Sequence, residues 1–137
     1  MSKRKVLIPI DGSDKSLESL DYLKEYYSPE KVEITLLHVR EIVFIDGMSV
    51  SDEVSDAELI GKRILDKAST LIPKYDCKCE FSFGYAGDEI LNYAEENNID
   101  VIVMAKNTKK KFMALVGSVT AHVAKKTKCT LVIVPEE

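Results

Sequence analysis

At 137 residues, 45% of them apolar and 31% charged, the chain has the composition of one soluble globular domain with a real core. Its formal net charge of −4 argues against general nucleic-acid binding, which needs a basic face to displace phosphate counterions. No apolar run approaches the ~18 residues that a membrane-spanning helix needs. The apolar stretch behind the basic residues 1–5 is broken by Pro9 and Asp11, so no secretory leader is expected, and a cytoplasmic address follows.

Residues 5–10 (K-V-L-I-P-I) read as a buried strand. Pro9 fits only if pairing on its side stops there, because proline donates nothing to a ladder. Asp11-Gly12-Ser13-Asp14 is a turn rich in helix-starting residues, and Leu17, Leu20, Leu23 and Tyr27 then recur at helical spacing up to Pro29. Residues 32–39 (V-E-I-T-L-L-H-V) form a second strand by their β-rich content. Residues 40–54 read as irregular, with an apolar patch at Ile42, Val43, Phe44, Ile45 and Met48. That patch fits a lid, a dimer contact or a strand extension, and the sequence does not choose.

Ser55-Asp56-Ala57-Glu58 reads as a capping box that starts a second helix near there or a few residues earlier. Its expected apolar stripe is Ile60, Ile64, Ala68 and Leu71, ended by Pro73. Residues 77–83 make a third strand, and Ile90, Leu91 and Ala94 mark a third helix closed at Asn97-Asn98. Residues 101–105 (V-I-V-M-A) are a fourth strand, followed by a basic loop to Val116. A fourth helix opens at Gly117-Ser118 with Val119 and Val123 facing inward, and residues 130–134 (T-L-V-I-V) form a fifth strand before Pro135. Strict alternation of strand and helix implies a parallel, doubly wound α/β sheet with helices on both faces, in one domain over residues 1–137. Such sheets bind ligands beyond the carboxyl ends of their strands, where the winding reverses.

Cys77, Cys79 and Cys129 are odd in number, and only His38 and His122 are available beside them. Neither a zinc site nor a disulfide framework is expected, and the three read as reduced thiols in or near strands.

Several segments carry a family likeness. V-L-I-P-I-D-G-S at 6–13, L-L-H-V at 36–39, Gly84-Tyr85-Ala86-Gly87-Asp88-Glu89-Ile90, Gly117-Ser118-Val119 and T-L-V-I-V-P at 130–135 resemble, in order, the universal stress protein family. The resemblance implies a five-stranded parallel sheet in the order 3-2-1-4-5 and a homodimer through the last strand, 130–134. It implies a stress-response role, an unidentified protein partner and no catalytic residue. It also implies a nucleotide crevice, with ATP or AMP as the candidate ligand. The positions that map to it are Ile10, Asp11, Val39, Met104, Ala105, Asn107, Gly117, Ser118 and Val119.

Nucleotide-binding members carry G-x-x-G-x9-G-[ST] after the fourth strand, and this chain departs from it. Counted forward, the first two glycines fall at Ala105 and Thr108; counted back from Gly117, they fall at Met104 and Asn107. The loop is also one residue short. Side chains there push the backbone off a phosphate, and β-branched Thr108 resists positive φ. Lys106, Lys109, Lys110 and Lys111 either replace the amide dipoles with point charges or form a solvated loop.

Single residues keep two readings. Asp11 is a nucleotide contact or a turn-capping carboxylate, and Ser118 caps the fourth helix with or without an anion. Ser118 and His122, four apart on one helix, have the spacing of a weak nucleophile–base pair, with nothing in the sequence to orient the histidine. The chain therefore reads first as a non-enzymatic, homodimeric stress-response protein that binds nucleotide weakly or not at all. A nucleotide-dependent switch built on Asp11 and Gly117-Ser118 is the alternative, and a small hydrolase or phosphotransferase a distant third.

Overall fold

A computed structural model describes residues 2–41, 51–106 and 116–135. Five strands, β1 (Arg4–Pro9), β2 (Val32–Arg40), β3 (Asp76–Phe83), β4 (Val101–Ala105) and β5 (Thr130–Val134), form one sheet in the order β3-β2-β1-β4-β5. Every pairing is parallel. Among the described residues four α-helices accompany them: α1 (Glu18–Tyr26), α2 (Ser51–Thr70), α3 (Ala86–Glu96) and α4 (Ser118–Lys126). The doubly wound expectation and its strand order are both met.

Strands buried on two faces cannot alternate polar with apolar. Val6, Leu7 and Ile8 of β1 and Val101, Ile102 and Val103 of β4 are accordingly all buried. They divide between two cores. Val6, Ile8, Ile34, Leu36 and Val103 pack with Leu20 and Leu23 of α1 and with Leu65 and Ala68 of α2. Leu7, Leu37, Ile102 and Met104 pack on the other face with Ile90 and Ala94 of α3 and Val123 of α4.

Pro9 is accommodated as its chemistry requires. The Ile10 amide donates to the Leu37 carbonyl, so alternation turns the Pro9 nitrogen toward β4. Pairing of β1 with β4 covers only Val6↔Val101 and Leu7↔Ile102, so the missing donor falls where the ladder has already ended.

The helix α2 begins at Ser51, a few residues before Ser55, as the earlier of the two expected starts allows; Ser55-Asp56-Ala57-Glu58 lies inside it, and the irregular reading of residues 40–54 is corrected at 51–54, which are helical. Its apolar stripe is corrected in part: Ala68 is buried and Ile64 packs on the core as expected, Ala57 and Leu65 are buried beside them, and Ile60 and Leu71 are exposed. The cause is Gly61. A methyl there would run into the Phe81 ring, so the helix lies directly on β3 at the one turn that has no side chain. A search for large apolar residues at helical spacing passes over that contact. The patch at 42–48 lies outside the described residues.

Candidate functional site

Winding reverses between β1 and β4, and those strands part beyond Leu7 and Ile102. A crevice of about 550 Å³ opens there, at the carboxyl ends of the strands. Its walls include Ile10, Asp11, Val39, Met104, Ala105, Gly117, Ser118 and Val119, so eight of the nine positions singled out in the sequence converge on one cavity. Asn107, the ninth, and Lys109, Lys110 and Lys111 lie outside the described residues.

The first wall is the turn after β1. Gly12 has φ +94°, a left-handed conformation that a side chain would strain. The Asp11 carboxylate accepts from the Ser13 amide at 2.9 Å and the Ser13 hydroxyl at 2.6 Å. The Ser13 hydroxyl oxygen accepts from the Ser16 amide, and the buried Ser16 hydroxyl donates to the Ser13 carbonyl at 2.8 Å. Asp11 therefore caps its own turn and also lines the crevice.

Beneath this turn lies His38. Its ring is 5% exposed, and Nδ1–H donates to the Ile10 carbonyl at 2.7 Å. That bond ties the exit of β1, where Ile10 lines the crevice, to β2. In the sequence His38 stands only as a zinc ligand that is not expected and as one letter of the L-L-H-V segment. An interior histidine beside an exit residue without a regular ladder partner is the signal that would have found its role.

The opposite wall is the start of α4. Gly117 is the residue before the helix, with φ −63° and ψ 156°, and its carbonyl accepts from the Ala121 amide at 2.9 Å. Ser118 is already helical and makes no side-chain cap, so the expected Ser118 N-cap is corrected. Gly117 holds the extended conformation that a capping residue needs, which displaces Ser118 into the first turn. The first-turn amides of α4, which have no partner within the helix, thus belong to the stretch 117–120 that lines the crevice. Two bonds anchor this end: the Gly117 amide donates to the Lys106 carbonyl at 2.9 Å, and the buried Thr120 hydroxyl to the Ala105 carbonyl at 2.9 Å.

One element of the site was missed. His122 Nε2–H donates to the Asp88 carboxylate at 2.7 Å and joins α4 to α3. Gly87 makes room for the ring, which a methyl at that position would strike. A side cavity of about 280 Å³ lined by Glu41, Asp88, Ser118 and His122 adjoins the crevice. The expectation that nothing orients His122 is therefore corrected. A contact between residues 34 apart in sequence is invisible to helical spacing. Among the described residues no hydrogen bond joins Ser118 to His122; the imidazole bonds Asp88 instead.

The chain is thus a doubly wound α/β domain with its cavity at the winding reversal, the place where sheets of this class take their ligands. The model of the universal stress protein family matches residues 3–135, and the chain belongs to that family. It is 29% identical to the universal stress protein YxiE of Bacillus subtilis over 95% of this chain and 97% of that one. The solved structure of MJ0577 from Methanocaldococcus jannaschii superposes with a TM-score of 0.76 at 24% identity, covering 100% of this chain and 99% of that one. A family protein from Arabidopsis thaliana with AMP bound superposes with a TM-score of 0.72 at 16% identity, over 98% of this chain and 92% of that one. Two further structures of similar fold are complexes with cAMP and dAMP.

Proposed function

We propose that this chain is a non-enzymatic, homodimeric stress-response protein of one domain whose crevice takes an adenine nucleotide with modest affinity. The observation that carries the reading is the cavity of about 550 Å³ with Asp11 on one wall and the start of α4 on the other. That volume is within the ~300–1,000 Å³ range of small-molecule sites. Apolar Ile10, Val39 and Met104 suit a base, and the α4 amides with the helix dipole suit a phosphate. Similar folds hold AMP, cAMP and dAMP, each with one phosphate group, which supports the same class of ligand here. The missing loop glycines weigh against a tightly held triphosphate, because only Gly117-Ser118 of that cradle is retained. The dimer would form through β5, an edge strand of the sheet on which Ile133 is exposed. A cytoplasmic address is part of the same reading. Among the described residues no helix is long and apolar enough to cross a membrane.

Calorimetric titration of the purified protein with AMP and with ATP tests this. Micromolar to millimolar binding at one site per chain is expected, with AMP bound at least as tightly as ATP and both nucleotides recovered intact. Nanomolar ATP binding, or conversion of ATP to ADP, would overturn the modest-affinity or the non-enzymatic part respectively.

A further inference from the structure

The crevice does not use Cys77 or Cys79. Both lie on β3, an edge strand, two residues apart and hence on one face of the sheet. That face is covered by α2. Cys79 Sγ is 3.8 Å from the Leu65 carbonyl, and Cys77 packs against the core that holds Leu65, Ala68 and Ile72. Cys79 is exposed, and Cys77 is half-buried.

The spacing decides what the two thiols can do together. Residues two apart on a strand have parallel Cα–Cβ vectors and sit about 6.6 Å apart. A disulfide needs its Cβ atoms about 3.8 Å apart, so closing one would buckle β3. β3 is paired with β2 here, Ile34↔Cys77 and Leu36↔Cys79, and buckling would break that ladder. A single cation bonded to two sulfurs at about 2.3 Å each spans roughly 4.6 Å between them. Side chains leaning toward one another reach that span with the strand intact.

Among the described residues no three His, Cys, Asp or Glu side chains converge, so the site offers two sulfurs and not a closed four-ligand shell. Soft thiolates in low number select soft cations.

We infer that Cys77 and Cys79 form a two-thiolate site for a soft monovalent cation of the Cu(I) class. Two S–H bonds break, two Cu–S bonds form, two protons leave to solvent, and no electron moves. Because both thiols release their protons on binding, protons compete with the metal and affinity rises with pH.

The test is an anaerobic titration of the reduced full chain with Cu(I) against a chromogenic chelator. One Cu(I) per chain is expected, with two protons released in weak buffer. Because chelation makes the second bond intramolecular, Cys77→Ser and Cys79→Ser should each weaken binding on the order of 100-fold or more. Cys129→Ser should leave it unchanged. Cys79→Ser is at an exposed position, so its result does not depend on the core refolding around a new side chain. Wild-type affinity in either Cys77→Ser or Cys79→Ser, or three equal and independent thiol sites, would overturn the inference.

Discussion

Single residues in this chain are set by what surrounds them more than by their own chemistry. Cys77 is held up to about 12 by burial first and by the Cys79 thiol beside it second. A pKa raised on folding means that the native state keeps its proton when the unfolded chain has lost it. The resulting stability is fully present below the unfolded thiol's ordinary value, about 8.5, and is lost as pH rises toward 12. Chemical denaturation of wild type and Cys77→Ser at pH 7 and at pH 10.5 should show a smaller alkaline loss in the variant. Equal losses would remove Cys77 from the account. Thr120 gives a second residue-level prediction. Thr120→Val keeps the shape and deletes the donor to the buried Ala105 carbonyl, so a cost of about 1–3 kcal/mol is expected in denaturant melts.

At the scale of elements, the sequence was most informative where one physical signal sufficed. β4 and β5 were legible to the residue because continuous apolar runs end in polar or proline punctuation. Pro9 was placed correctly because its missing donor admits only a few ladder positions. α2 was misread because a glycine, not a large apolar side chain, makes its closest approach to the sheet. Gly61→Ala should therefore destabilise by about 1–3 kcal/mol through overpacking against Phe81, although alanine is the better helix former. A stabilised Gly61→Ala protein would show that the helix can lift from β3 at little cost. The start of α4 was legible as a ligand-facing helix end, but not its anchorage. The His122–Asp88 bond and the Thr120 hydroxyl bond are both long-range contacts that follow from the fold.

At the scale of the whole molecule, alternation of strand and helix left the strand order open, and the family resemblance of the segments at 6–13, 36–39, 84–90, 117–119 and 130–135 implied it. Parallel topology then brings residues 10–11, 39, 104–105 and 117–119 to one crevice, because all their strands end on the same side. An edge strand with Ile133 exposed gives the dimer reading its own test. Ile133→Asp should shift the protein from dimer to monomer in analytical ultracentrifugation with little change in fold; a variant that stays dimeric moves the interface off β5.

A thermal melt of wild type and Gly117→Val with AMP tests whether the start of α4 binds the phosphate of an adenine nucleotide. Gly117 has a backbone conformation open to any residue, so valine leaves the fold in place while it crowds the crevice. A ligand at ~100 times its Kd adds about 2.7 kcal/mol, which is several degrees of melting temperature for a domain of this size. The account predicts such a rise for wild type at millimolar AMP and its loss in Gly117→Val. No rise in wild type, or the same rise in both proteins, would contradict it.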